Sequence, residues 1–456
     1  MPGLTAPRGS DLSTRVDARL DARLERHVAH PFAIALSGGG DSMALLDLVA
    51  RWAGRNGRQL LAITVDHGLN VDSPRWNALC EAAARSVGAD WRLCHWQGDK
   101  PGTGLPAAAR ASRHALIANA AHDAGARVVL FAHTADDIAE ADWMRSQGST
   151  LGRLREWAPS PAWPEGRGLM VLRPLLEERR ETLRRLLEAK GAFWIEDPAN
   201  TDDRFARSRA RKALAPDSMS DDAEPVGPAP GPGRTIGAHS PRHRVRPLPL
   251  GAGFMIERST DAARLAATLL CASGTRTPPR RDRLEALLDR IRSNDACVAT
   301  LAGAQVMGRG EAIIIGREAG RRVLPEMAVS PDRPMIWDDR FQITVSTTGY
   351  SVAPALGRLK TLSKKETQVL QTVPASLRPT LPVLIRDDGS APVLAWRHAT
   401  VTALGPRRLS LALGETTQEC HLHATIHGET PPTDLFSIQE LHQGGFHQPP
   451  TNRETR

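Results

Sequence analysis

A chain of 456 residues is too long for one comfortable hydrophobic core, so two or three domains are expected. Hydrophobic residues make up 41% and charged residues 24%, an ordinary globular balance, and no run is apolar enough to read as a membrane span. The formal net charge of +8 favours a polyanionic partner such as nucleic acid, although an arginine-rich background gives the same balance.

Five cysteines (Cys80, Cys94, Cys271, Cys297 and Cys420) lie far apart and form no C-x-x-C pair. That spacing argues against a zinc ribbon or a disulfide framework and fits a reducing, cytoplasmic setting. The opening stretch, residues 1–30, mixes Arg with Asp and Glu and lacks an apolar h-region. It reads as an N-terminal extension and not as a signal peptide.

From Pro31 to about Arg145, short apolar runs alternate with longer amphipathic stretches. PFAIALS, QLLAITVD, DWRLCHW and RVVLFAH read as buried strands, each followed by a helical pattern. The alternation predicts an α/β domain over 31–215, a parallel sheet wrapped by helices, with ligands beyond the strands' carboxyl ends.

Directly after the first strand stand Ser37, Gly38, Gly39, Gly40, Asp41 and Ser42. Glycines there let consecutive N–H groups approach an anion, and the following helix adds its positive end. No lysine is supplied, as a Walker loop would have it, and Asp41 would repel bare phosphate. A cation between the two, most simply Mg²⁺, reconciles them. The bland alternative is a βα turn in which Asp41 and Ser42 only cap the helix.

Further along, LLEERRETLRRLLEAKG is helical and ends at Gly191, and FWIEDPANTDDRFARSRARKAL turns at Asp197-Pro198 and becomes a basic helix. Residues 216–252, rich in Pro, Gly and Ser, read as a linker. Two amphipathic helices within 253–295 form a small helical region. Short strands with glycine turns fill 296–430, a small mostly-β domain, and 431–456 is a polar tail. Cys420, His421, His423 and His427 have no paired ligand spacing and read as surface or strand residues.

The S-G-G-x-D-S pattern between a strand and a helix resembles the signature of the PP-loop family, the N-type ATP pyrophosphatases. The resemblance implies cleavage of ATP between the α and β phosphates and adenylation of a substrate oxygen. Four more stretches, VDHGLNVDS (Val65–Ser73), ARASRHALI (Ala109–Ile117), AHTADDIAEADWMRSQGS (Ala132–Ser149) and WIEDPANTDDRFARSRAR (Trp194–Arg211), resemble the tRNA(Ile)-lysidine synthetase family.

That family implies ATP and Mg²⁺, tRNA(Ile) with a CAU anticodon and L-lysine as partners, and is compatible with a homodimer. It implies a reaction in which the C2 oxygen of the wobble cytidine is adenylated and the lysine ε-amine displaces AMP. Ser37, Gly38, Gly39, Gly40, Asp41, Ser42, Asp66, His67 and Arg110 are the implied nucleotide-binding residues. Asp41, Arg113, His133, Asp136, Asp137 and Glu140 are the implied catalytic ones, with Asp41 and Asp137 as candidate Mg²⁺ ligands.

Helical spacing crowds Asp136, Asp137 and Glu140 together, which is unfavourable unless a cation, Mg²⁺ or the lysine ammonium, sits among them. His133 would orient ATP or the cytidine. Arg110 and Arg113 share a helical face suited to phosphate. Arg145, Asn200, Arg204, Arg207, Arg209, Arg211 and Lys212 are the candidate tRNA contacts.

The chain departs from the family in carrying Ile138 and Ala141 where Gln and Thr are usual, and in placing the linker where further helices normally follow. Two alternatives stay open: another PP-loop tRNA-modifying enzyme of the thiolase type, against which the missing cysteine pair counts, and a non-catalytic tRNA-binding relative.

Overall fold

The computed structural model describes residues 11–149, 152–196, 206–214, 245–320 and 323–424. Contacts divide the described residues into two compact units, one made of those up to 214 together with 406–424, the other of those from 245 to 405.

The first unit runs α1 (Leu12–Arg23), β1 (Phe32–Ala35), α2 (Gly40–Arg55), β2 (Leu60–Asp66), α3 (Ser73–Ser86), β3 (Asp90–His95) and α4 (Leu105–Asp123). It continues with β4 (Val128–Leu130), α5 (Ala135–Ser146), β5 (Trp157–Pro159), β6 (Met170–Leu172), α6 (Arg180–Ala189) and α7 (Ala206–Ala213). The sheet order is β3-β2-β1-β4-β6-β5, parallel except for β5. Phe32, Ala33 and Ile34 are fully buried, as a central parallel strand covered on both faces requires. The sequence marks β1 to β4. It does not mark β5 and β6, three residues each and too short for a periodic signal.

From β1 the order steps outward to β2 and β3 on one side and to β4 on the other. The carboxyl ends of β1 and β4 therefore flank the point where the winding reverses, the place where sheets of this class open a ligand crevice.

Residues 1–30 read as an extension in sequence. The helix within them is instead part of the core. Leu12, Val16 and Leu20 repeat every four residues and are buried. The polar side of α1 also works: Arg15 and Arg19 donate to the Glu178 carboxylate at 2.6 and 2.8 Å. Burial alone would raise the Glu178 pKa, but these two arginines hold it below the usual carboxylate range.

The returning segment from Pro406 adds Leu411 and Leu422 to the same core. Glu419 is fully buried and paired bidentately with the equally buried Arg58 at 2.9 and 3.0 Å.

In the second unit, β7 (Arg246–Pro247), β8 (Gly253–Glu257), α8 (Ala262–Ser273), α9 (Arg281–Ser293), β9 (Ala296–Leu301), β10 (Ala304–Arg309) and β11 (Ala312–Arg317) form one layer pair. The sheet order is β7-β8-β11-β10-β9, antiparallel throughout, and both helices pack on it. The helical region and the β-rich region expected as separate pieces thus share one body, because an amphipathic helix pair cannot bury its apolar stripe alone.

Two smaller antiparallel sheets follow, packed around Trp337, Phe341, Val352, Leu384 and Leu394. Residues 404–412, read from sequence as the end of the strands, are helical. No helix among the described residues is long and apolar enough to cross a membrane.

Candidate active site

The loop after β1 is fixed from two sides. Ser42 Oγ donates to Gly39 O at 2.9 Å and lies 3.2 Å from Ser37 Oγ. Ile195 N donates to Gly38 O at 2.9 Å, and residue 195 adds a parallel bridge to Gly39. Gly38 has φ +81°, and a Cβ there would stand 2.3 Å from Ile195 Cδ1. Only glycine fits. Gly39 caps α2 with no side-chain hydrogen bond to the helix, so the first N–H groups of α2 point at the loop mouth, a disposition suited to phosphate.

Asp41, in the first turn of α2, is half-buried. Burial pushes its carboxyl pKa up, and the neighbouring Arg180 opposes that rise. Arg180 opens α6, and its Nε donates to Asp41 Oδ2 at 3.1 Å. Its Nη1 donates to Glu140 Oε1 at 3.1 Å, its Nη2 lies 3.8 Å from Asp137 Oδ2, and its backbone N–H donates to Asp136 Oδ2 at 2.8 Å. Burial works against the guanidinium charge, yet Asp41, Asp137 and Glu140 raise its pKa above the ordinary value.

The acidic group expected on α5 is therefore assembled, together with Asp41. The cation at its centre is an arginine that sequence reasoning missed. Within the arginine-rich EERRETLRR stretch nothing distinguishes Arg180 from Arg179, which is exposed and stands 3.7 Å from Asp136.

The carboxylates of α5 divide their work. Asp137 Oδ2 accepts from Thr134 N at 2.8 Å and Thr134 Oγ1 at 3.1 Å, fixing the start of the helix. Glu140, 2% exposed, receives both Arg180 and Arg211 on Oε1, the latter at 2.7 Å. Its Oε2 is buried and has no hydrogen-bond partner among the described residues. A buried, unpaired carboxylate oxygen is costly, so it is an acceptor waiting for a donor.

A positive group gathers around His133 and His114. Arg173, also missed from sequence, donates from Nε to His133 Nδ1 at 3.2 Å and from Nη1 to Arg155 O at 2.7 Å. Burial and the nearby Arg110 and Arg155 lower the Arg173 pKa to about 10. Phe131 sits between His114 and His133, 5.1 and 5.9 Å from their ring centroids. Burial, then Arg113, Arg110, His133 and Arg173, push His114 down to about 3. Arg110 and Arg113 are thus gathered with the two histidines.

His67 packs edge-on against Trp96, and burial together with Arg113 lowers its pKa. Asp66 accepts from Gly68 N at 2.8 Å and Asn77 Nδ2 at 3.0 Å. These bonds outweigh burial and hold its pKa low.

Of the expected tRNA contacts, Arg145 pairs with Asp142 on its own helix, Arg211 faces Glu140, and Arg209 and Lys212 are exposed on α7. Asn200 and Arg204 lie outside the described residues, as does the side chain of Arg207. Cys420 and His421 begin a short helix, Cys420–Ala424, and among the described residues no three His, Cys, Asp or Glu side chains are placed to hold a metal by themselves.

The PP-loop domain family matches residues 12–218. The tRNA(Ile)-lysidine synthase of Caulobacter vibrioides is 42% identical over 417 residues, covering 89% of this chain and 98% of that protein. The chain belongs to the tRNA(Ile)-lysidine synthase family. The synthase of Hyphomonas neptunium is 38% identical over 67% of this chain and 86% of its own length. Among solved structures, the U34-tRNA thiolase NcsA from Methanococcus maripaludis aligns with 18% identity and a TM-score of 0.36, over 44% of this chain and 71% of that one.

Proposed function

We propose that this chain joins lysine to C2 of the wobble cytidine in a tRNA(Ile) with a CAU anticodon, using ATP and releasing AMP and pyrophosphate. In the first step the cytidine C2 oxygen attacks the α-phosphorus, and the bond to the bridging α–β oxygen breaks with departure of pyrophosphate. In the second the lysine ε-amine attacks C2, AMP leaves with the C2 oxygen, and the proton lost by the amine passes to a nearby carboxylate and on to solvent.

The carrying observation is that the loop of β1 and the acids after β4 meet at the sheet's reversal point on one guanidinium, Arg180. Ser37, Gly38, Gly39 and Ser42, with the N–H groups opening α2, hold the phosphates. The positive group of Arg110, Arg113 and Arg173 offsets charge developing on the α-phosphate. His133, oriented by Arg173, faces nucleotide or cytidine, and Asp66 with His67 borders the nucleotide. Asp137 and Glu140 receive the lysine amino groups, and Asp136 anchors α6.

Asp41 and Asp137 are hard oxygen donors on the turns after β1 and β4, and they are the residues that would hold a phosphate-borne Mg²⁺. When bound, it would neutralise charge on the departing pyrophosphate. The exposed Arg209 and Lys212 would meet tRNA phosphates, and Arg145, Asn200, Arg204 and Arg207 are further candidates for such contacts. The five cysteines form no disulfide, which suits a cytoplasmic setting.

The test is incubation of the full chain with ATP, labelled lysine and a tRNA(Ile) transcript. Label joined to the anticodon supports the reading. Sulfur transfer without lysine, or tRNA binding without turnover, overturns it.

A further inference from the structure

We propose that Arg180 is a positioning residue that ties the phosphate loop to the amine pocket, holding Asp41 and Glu140 on one guanidinium so that Glu140 Oε2 is left as the ammonium acceptor. The inference rests on the reading of the site given under Proposed function.

Three elements from distant parts of the chain meet at this side chain: α2 through Asp41, α5 through Asp137 and Glu140, and α6, which carries Arg180 itself. The base of the residue is fixed as well as its tip, because Asp136 accepts the Arg180 backbone N–H at 2.8 Å. The side chain is only 20% exposed, unlike Arg179 at 70%, so it is not a solvated member of an arginine-rich helix.

Its planar fork reaches two carboxylates in different directions, which the compact ammonium of a lysine cannot do. The division of Glu140 is the second observation. With Oε1 occupied by Arg180 and Arg211, the buried Oε2 is the oxygen left for an incoming donor. Without Arg180, Asp41, Asp137 and Glu140 would face one another with less compensation and would move apart. The phosphate loop and the amine pocket would then lose their register together.

The experiment uses the full chain as Arg180→Met, Arg180→Lys, Glu140→Gln and the Arg180→Met/Glu140→Gln double variant. Thermal unfolding is followed for each. Lysine KM, pyrophosphate release and tRNA binding are measured separately. Arg180→Met is expected to raise the lysine KM at least tenfold and to slow pyrophosphate release at least tenfold, with tRNA binding within twofold of wild type. Arg180→Lys should fall between, keeping the charge without the fork. In the double variant the lysine KM should rise less than the product of the single effects, because both act through one carboxylate.

A lysine KM within twofold of wild type in Arg180→Met, or single effects that multiply independently, would overturn the proposal. If the Met variant does not fold, the same criteria apply to Arg180→Lys, whose cycle with Glu140→Gln takes its place. A wild-type chain that transfers no lysine would instead overturn the function itself, and this inference with it.

Discussion

Arg211 Nε donates to Glu140 Oε1 at 2.7 Å, so one arginine of the basic helix α7 turns inward to the acids of α5. Its neighbours Arg209 and Lys212 are exposed, whereas Ser208 and Ala210 are buried. Helix α7 therefore has an inward face and an exposed one.

The two faces separate experimentally. Arg209→Ala with Lys212→Ala should weaken tRNA binding and flatten its dependence on salt, by about one unit of log–log slope for each phosphate no longer neutralised. Arg211→Ala should leave that slope nearly unchanged and raise the lysine KM. Filter binding over a salt series, beside lysine kinetics, reads both. A slope that falls most with Arg211→Ala would place the tRNA against that side chain.

Gly38→Ala should cripple the loop. Its φ of +81° disfavours an L side chain by about 1–2 kcal/mol, and the new methyl group would meet Ile195 Cδ1 at 2.3 Å and Cys80 Sγ at 3.1 Å. Pyrophosphate release is expected to fall at least tenfold, with a lower unfolding temperature. The surroundings of Gly40 are looser, the nearest atom being Trp194 Cδ1 at 3.5 Å, so Gly40→Ala should be much the milder variant.

Much of this site was legible because it is local in sequence. Residues 37–42 and 133–140 each lie on a single strand-to-helix turn, where a short motif fixes both chemistry and direction. Arg180 and Arg173 were not legible, since each gains its meaning from partners some 40 to 139 residues away that only the folded sheet brings near. The same is true of Glu419, which finds Arg58 across 361 residues. Helix α1 was readable in principle, for Leu12, Val16 and Leu20 form an apolar stripe, but the charged residues between them mask it as a polar extension.

The imidazole of His114 supplies a prediction in pH. Its folded pKa is about 3, against 6.5 for the free side chain, so between those values the unfolded chain binds the extra proton. Stability from this residue is complete above pH 6.5 and declines as the pH falls toward 3. Between pH 6.5 and 5 the loss should be about 2 kcal/mol, from about 1.4 kcal/mol per pH unit. Denaturant unfolding of wild type and His114→Gln at both pH values checks it. The variant should lose less, and equal losses would mean that His114 titrates normally in the fold.

Breaking the buried pair of Arg58 and Glu419 should destabilise the first unit strongly. Glu419→Gln leaves a fully buried guanidinium without its charge partner and should cost about 3–5 kcal/mol. Replacing both residues, as Arg58→Met with Glu419→Leu, should recover much of that loss. Unfolding midpoints of the single and double variants decide it, and a double variant as unstable as the single would show that the ion pair itself supplies the stability.

The most direct test of the ATP chemistry follows the fate of ATP labelled in its α phosphate, with tRNA(Ile) and lysine present, in wild type and Asp41→Ala. Labelled AMP should form in step with lysine joined to tRNA, with an equal amount of pyrophosphate, and Asp41→Ala should abolish all three. Labelled ADP, or AMP formed at the wild-type rate by Asp41→Ala, would contradict the assignment of this loop to pyrophosphate departure.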